Sequence, residues 1–321
     1  MLRQTEIDRI AEEILSELQG DGRFESGNLR AKSEAAAREA ARQKAKKDLE
    51  EVAGSMPPGK PDGKAAGDGL ISEPAPEPDR KAPLLENPQD PDALRRMIGK
   101  TTARIGVGRS GPRLKTKTLL TLRADHAAAR DAVLMDVSEG LIQKLGLFSV
   151  VTCCTDKNNF LTRPDLGRDF DEETKAYIKE KCVSHPDVQI IISDGLSSSA
   201  IEANAARILP VVMEGLKEKG LTAGTPIFVK YGRVGAQDRI SELVGAKVVC
   251  SFIGERPGLA TAESMSAYIA YHAEVGMPEA RRTVVSNIHK DGVPAVEAGA
   301  YIVDLLALIL EKQASGVDLK K

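Results

Sequence analysis

The side chains best suited to holding a ligand follow three short apolar runs. Asp194 follows VQIIIS, Arg233 follows IFVKYG and Glu255 follows VVCSFIG. Such runs, rich in β-branched residues, predict buried parallel strands. Ligands of open parallel sheets bind outside the carboxyl ends of the strands. We therefore predict that these three strand ends converge on one crevice.

The chemistry predicted for this crevice is binding rather than catalysis. Glycines at the strand ends let a backbone approach a large flat ligand, and Glu255 offers an acceptor for amide groups. Asp194 is predicted as a second-rank ligand contact. Ser197 lies at a strand-to-helix turn but lacks the G-x-S-x-G pattern of a nucleophile, so we interpret it as a helix N-cap. We predict no catalytic residue in this chain.

The elements that must position these residues alternate along the chain. Apolar periodicity predicts strands near 148, 188, 226, 247, 268 and 283. It predicts helices at about 92–98, 125–145, 171–183, 197–219, 236–244, 260–267 and 293–313. This alternation is typical of an α/β fold, and we predict a doubly wound, Rossmann-like, mainly parallel sheet with helices on both faces.

The first 91 residues have a different composition. Residues 1–20 predict a short amphipathic helix, which we interpret as a targeting helix, with an assembly or solubility segment as the alternative. Residues 21–91 are rich in charge, Ala, Gly and Pro and predict a disordered, low-complexity linker. We predict a helical subdomain over 92–146 and the Rossmann-like domain over 147–321.

Composition excludes several classes of function. The chain has 321 residues, 41% of them hydrophobic, which is ample for a core. Its formal net charge of −2, its 3% aromatic content and its lack of tryptophan argue against nucleic-acid binding. Without an apolar run long enough to span a membrane, a C-x-x-C pair or a signal-peptide core, the sequence predicts a cytoplasmic protein with free thiols.

Several blocks of the sequence together resemble one known family. They are TARIGVGRSGPRLKTKTLL, RADHAAARDAV, DKNNFLTRPDLGR, VQIIISDGLSSSAI, GTPIFVKYGRV, GERPGL, AESMSAY and SNIHKDGVPAVEA. In this order and spacing, over roughly 95–321, they resemble the small subunit of ethanolamine ammonia-lyase, an adenosylcobalamin enzyme.

The resemblance implies a subunit that binds adenosylcobalamin together with a large catalytic subunit. Cofactor contacts of the family fall on the positions matching Val234, Glu255 and Val284, with Arg233 and Asp194 in support. Family members often have cysteine where Val284 stands. The implied reaction is the radical conversion of ethanolamine to acetaldehyde and ammonia. This chain would be inactive alone and located inside a bacterial microcompartment, where residues 1–20 would contact a shell protein.

Other motifs leave two alternatives open. The run from Gly106 to Gly111 matches G-x-G-x-x-G but lacks a strand before it, so an autonomous nucleotide-dependent enzyme is disfavoured. A non-catalytic microcompartment scaffold is the other alternative. The segment NIHKDG is close to the D-x-H-x-x-G motif that places a histidine on cobalt, but Asn287 replaces the aspartate, so His289 is predicted not to be an axial ligand. The remaining histidines lack metal-site spacing, and we predict no metal site.

Overall fold

The computed structural model describes residues 81–319, and they form an α/β fold. The strands are β1 (Arg109–Ser110), β2 (Arg113–Leu114), β3 (Phe148–Val151), β4 (Val188–Ser193), β5 (Ile227–Lys230), β6 (Val248–Gly254), β7 (Met265–Tyr271) and β8 (Thr283–Ile288). The α-helices are α1 (Pro91–Gly99), α2 (Thr116–Leu134), α3 (Glu139–Lys144), α4 (Lys157–Thr162), α5 (Glu172–Lys181), α6 (Ser198–Glu218), α7 (Ala236–Val244) and α8 (Ala295–Lys312).

Six strands form one mixed sheet in the order β3-β5-β4-β6-β7-β8. The first four are parallel, while β7 and β8 continue the sheet in antiparallel pairing. Strands β4 and β6 are buried along their whole length, which explains why they read as continuous apolar runs. The α/β class predicted from sequence is confirmed, with a sheet that is parallel in one part and antiparallel in the other.

Helices cover both faces of the sheet. On one face, Ile208 of α6 and Ile302 of α8 pack in one apolar cluster with Ile190 of β4. On the other face, Ile178 of α5 and Ile240 of α7 belong to a second cluster, which includes strand residues of the alternate parity. The sheet thus forms the middle layer, and the face covered by α5 and α7 is called the α7 face below.

Two predicted helices are wrong. The helix expected at 125–145 is two helices, since α2 begins at Thr116 and ends at Leu134, and α3 begins after a separate N-cap, Ser138. The helix expected at 260–267 is a loop that leads into β7. In this loop the backbone carbonyl of Ala262 accepts hydrogen bonds from two side chains instead of from a helical N–H group. Ser197, the N-cap of α6, donates at 2.5 Å, and Ser199 of α6 donates at 3.0 Å.

The remaining expected strands and helices are present, with α7 over the predicted 236–244. The G-x-G-x-x-G run passes through β1 and the turn before β2, a two-stranded hairpin. The predicted N-terminal helix and most of the predicted linker lie outside the described residues. No helix between residues 81 and 319 is long and apolar enough to cross a membrane.

Candidate functional site

The carboxyl ends of β4, β5 and β6 lie side by side. Ser193 is paired with Val229 on one side and with Ile253 on the other, so the polar segments that follow these strands begin at one level of the sheet. The strands approach closely there. A Cβ atom on Gly254 would collide with the carbonyl oxygens of Ser197 and Asp194, which accounts for the glycine at this position.

Asp194 is the buried centre of this strand-end region. Its side chain is 1% exposed, and Oδ1 accepts hydrogen bonds from the backbone N–H groups of Tyr231 at 2.8 Å and Gly232 at 3.4 Å. Tyr231 has a φ of 60°, an unfavourable conformation for a bulky residue. Asp194 therefore stabilises the strained turn at Tyr231 through its buried carboxylate.

A lysine from α4 approaches the other oxygen of this carboxylate. Lys157 Nζ lies 3.6 Å from Asp194 Oδ2 and 3.7 Å from Asp136 Oδ1. Burial raises the pKa of the Asp194 carboxyl, while the Lys157 charge and backbone N–H donors act in the opposite direction. The same ammonium lies 5.3 Å from the ring centre of Tyr231, a cation–π contact.

Arg233 points its guanidinium at α4. Its Nη2 donates to the carbonyl of Phe160 at 2.7 Å, and the guanidinium carbon lies 4.1 Å from the centre of the Phe160 ring. Its backbone N–H donates to Gly167 at 2.7 Å. Burial lowers the pKa of Arg233. Arg233 thus fixes the segment before Val234 to α4 and to the backbone of Gly167.

Glu255 is half-buried, and its carboxylate is held by hydroxyl groups. Ser264 donates to Oε2 at 2.7 Å, and Ser266 makes a very short hydrogen bond to Oε1. The backbone N–H of Asn287 also reaches Oε1, at 3.4 Å. These donors fix the carboxylate at the carboxyl end of β6 and leave it partly accessible, a suitable arrangement for accepting a hydrogen bond from a ligand amide.

Tyr268 on the α7 face is linked, directly or through one intervening residue, to the positions of Val234, Glu255 and Val284. Tyr268 of β7 is paired with Val284, which is 46% exposed. Two residues before Tyr268 on the same strand face, Ser266 binds Glu255. Gln237, in the first turn of α7 after Val234, donates to the carbonyl of Tyr268 at 3.2 Å once its amide oxygen and nitrogen are exchanged, the orientation that satisfies both atoms. Tyr268, Ser266, Gln237 and these three positions are together called the Tyr268 face.

A buried ion pair connects α7 to the start of β8 at the Tyr268 face. Arg282, just before β8, binds Asp238 of α7 through two hydrogen bonds of 2.6 and 2.8 Å, and these side chains are 2% and 5% exposed. Arg282 also donates to Glu279 at 2.8 Å. The pair therefore connects the start of the helix that follows Val234 to the start of the strand that carries Val284.

Comparison with known proteins identifies the family. The model of the family described as ethanolamine ammonia-lyase light chain (EutC) matches residues 91–320. The chain belongs to the ethanolamine ammonia-lyase light-chain family. It is 58% identical to the ethanolamine ammonia-lyase small subunit of Clostridium perfringens over 241 residues, which cover 75% of this chain and 82% of that relative. It is 54% identical to the small subunit of Clostridium tetani over 253 residues, 79% of this chain and 86% of the relative.

Several features of this light chain's site were not identified from sequence. Lys157, Phe160, Ser266, Tyr268 and Arg282 all contact predicted site residues or the elements that carry them. Only the Asp156 N-cap gives a local signal, because it predicts a helix beginning at Lys157. The other contacts arise from strand register and from packing between distant parts of the chain.

His289 makes a hydrogen bond within its own loop, and a separate cavity lies at the other end of the sheet. His289 Nδ1 accepts a hydrogen bond from the backbone N–H of Asp291 at 3.3 Å, so this nitrogen serves its own loop. Within residues 81–319, no cluster of histidine, cysteine or acidic side chains could hold a metal ion. A cavity of about 700 Å³ beside Lys247 and His272 lies at the amino ends of the parallel strands, away from the Tyr268 face.

Proposed function

We propose that this chain is the small subunit of an ethanolamine ammonia-lyase and binds adenosylcobalamin jointly with a large catalytic subunit. The observation that supports the proposal is the link from Tyr268 to positions 234, 255 and 284, which come from three separate parts of the sequence, through strand pairing and hydrogen bonds. Membership of the light-chain family supports both the lyase activity and the large-subunit partner. We also propose that residues 147–321 form a Rossmann-like cobalamin-binding domain and that 92–146 form a helical subdomain.

The residues of the Tyr268 face fit the periphery of a corrin ring. That periphery carries amide side chains, and Glu255 presents a carboxylate that two serines and one backbone N–H hold in place. Val284 contributes exposed apolar surface, and Val234 is half-buried just before α7. A hydrogen-bond acceptor flanked by apolar surface suits the edge of a large, flat ligand with polar substituents.

Each residue of this chain has a binding or positioning role in the proposed site. Glu255 accepts a hydrogen bond from the ligand, and Val234 and Val284 exclude water from its edge. Arg233 and Asp194 hold the segment that leads to Val234. Adenosylcobalamin, when bound, supplies the radical chemistry that converts ethanolamine to acetaldehyde and ammonia. Substrate contacts are assigned to the large subunit, so this chain is expected to be inactive alone.

Cofactor retention tests the shared site. The chain alone and its complex with a co-expressed large subunit are each mixed with adenosylcobalamin, passed over a desalting column and examined by visible absorbance. We expect the complex to retain the cofactor and the chain alone to lose it, because half of the binding surface is then missing. Equal retention by the isolated chain would contradict a shared site, and no retention by the complex would contradict the cofactor role.

We further propose that the chain acts in the cytoplasm, inside a bacterial microcompartment, and that residues 1–20 bind a shell protein. The periodic apolar positions of that segment support the proposal, because a short amphipathic helix can dock in a groove of a partner. Deleting residues 1–20 from a fluorescent fusion is expected to disperse discrete foci. The control is a full-length variant in which Glu12 and Glu13 are replaced by glutamine. Unchanged foci in the deletion variant would refute targeting.

A further inference from the structure

We propose that Lys157 is a positioning residue of the cofactor site and acts through Asp194 on the segment from Tyr231 to Val234. The inference rests on the proposed function for its effect on cofactor binding. Lys157 lies on α4, and no sequence motif or family resemblance assigns it a role. Its side chain is 14% exposed, and its ammonium lies near two carboxylates and two aromatic rings.

The buried carboxylate of Asp194 has a nearby lysine to balance its charge. Oδ1 of this carboxylate accepts from the Tyr231 and Gly232 amides, and Oδ2 is buried with no hydrogen-bond partner among residues 81–319. Lys157 is the cation that approaches Oδ2, at 3.6 Å. A buried carboxylate without a compensating charge is strongly unfavourable. Lys157 therefore lowers the cost of burying the Asp194 carboxylate, whose charge makes Oδ1 a stronger acceptor for both backbone N–H groups.

The two hydrogen bonds to Asp194 maintain an unusual backbone conformation at Tyr231. Tyr231 has a positive φ, and a bulky residue keeps that conformation only where its surroundings impose it. Thr152 donates to the Tyr231 carbonyl at 3.0 Å, so the turn is held on its other side as well. The direction of the chain through Arg233 to Val234 is set at this turn. Loss of the Lys157 charge is expected to weaken the turn and displace Val234.

Two variants test this role: one removes the positive charge of Lys157, and the other also removes the negative charge of Asp194. Lys157→Met leaves Asp194 without its cation. The double variant Lys157→Met/Asp194→Asn keeps an oxygen acceptor for the two amides but carries no buried charge. Lys247→Met is the matched control, because Lys247 forms a 2.8 Å ion pair with Asp187 at the opposite end of the sheet.

Hydrogen–deuterium exchange of the peptide containing residues 231–234, in the full-length chain, reports on the turn directly. We expect exchange in Lys157→Met to be roughly 10- to 100-fold faster, the value for loss of a hydrogen bond to a charged group. The double variant is expected to recover most of the protection, and Lys247→Met to match the unmodified chain. Unchanged exchange in Lys157→Met, or a double variant that exchanges as fast as the single one, would overturn the proposal.

The cofactor arm separates this inference from the proposed function. In the complex with the large subunit, affinity for adenosylcobalamin is expected to fall about tenfold in Lys157→Met and to recover in the double variant. If the unmodified complex binds no cofactor while the exchange pattern holds, the proposed function fails and the positioning of the turn stands. If the complex binds cofactor but the exchange pattern is absent, the positioning role fails alone.

Discussion

Replacing Arg282 by methionine is expected to lower the free energy of unfolding by about 3–5 kcal/mol, the largest stability effect among the contacts of the site. The substitution leaves Asp238 buried, 5% exposed, without the guanidinium that binds both of its oxygens. Burial raises the pKa of Asp238, and the Arg282 charge acts against that rise. Removing Arg282 therefore forces a buried carboxylate either to remain unpaired or to take up a proton.

Thermal unfolding of the full-length chain, followed by circular dichroism, measures this effect. A loss of 3–5 kcal/mol corresponds to a decrease in Tm of about 10 °C for a folded region of this size. Arg281→Met is the matched control: the neighbouring Arg281 pairs with Asp318, and both side chains are more than half exposed. Exposed pairs contribute about 0–1 kcal/mol. A decrease in Tm as small as that of Arg281→Met would contradict the importance of the buried pair.

Replacing Glu255 by alanine is expected to weaken adenosylcobalamin binding to the complex by roughly 10- to 100-fold, the value for loss of a hydrogen bond to a charged group. The reason is that the Glu255 side chain is the hydrogen-bond acceptor that the Tyr268 face offers to a ligand. Glu255→Gln, which preserves the size of the side chain and can still bond to Ser264 and Ser266, is expected to lie between alanine and glutamate. Glu263→Ala is the control, because this glutamate lies in the same loop and pairs with Lys290.

The sheet could be predicted because its strands have a strong local signal. The runs before Asp194 and Glu255 are continuously apolar, and both strands are buried at every position. The false helix at 260–267 shows where local signals fail, since Ser197 and Asn204 of distant elements satisfy the carbonyls of that segment. Side chains far away in sequence replaced the helical hydrogen bonds that the local pattern favoured.

The site could be predicted only at its strand ends. Glu255 and Asp194 follow predicted strands, but their partners depend on register and packing. Ser266 reaches Glu255 because β7 runs antiparallel beside β6, and Lys157 reaches Asp194 from a six-residue helix. Neither contact is encoded in a short motif. The resemblance added Val234 and Val284, and their links to Tyr268 arise through Gln237 of α7 and through pairing of β7 with β8.

The central claim is that Glu255 and its neighbours form this chain's half of an adenosylcobalamin site. The most direct test is a visible-absorbance titration of the cofactor into the complex of the chain with its large subunit, performed in parallel for the unmodified, Glu255→Ala and Glu263→Ala forms. We predict saturable binding that is weakened only by Glu255→Ala. Equal affinity in all three complexes would contradict the placement of the site, and an absence of saturable binding in the unmodified complex would contradict the cofactor role.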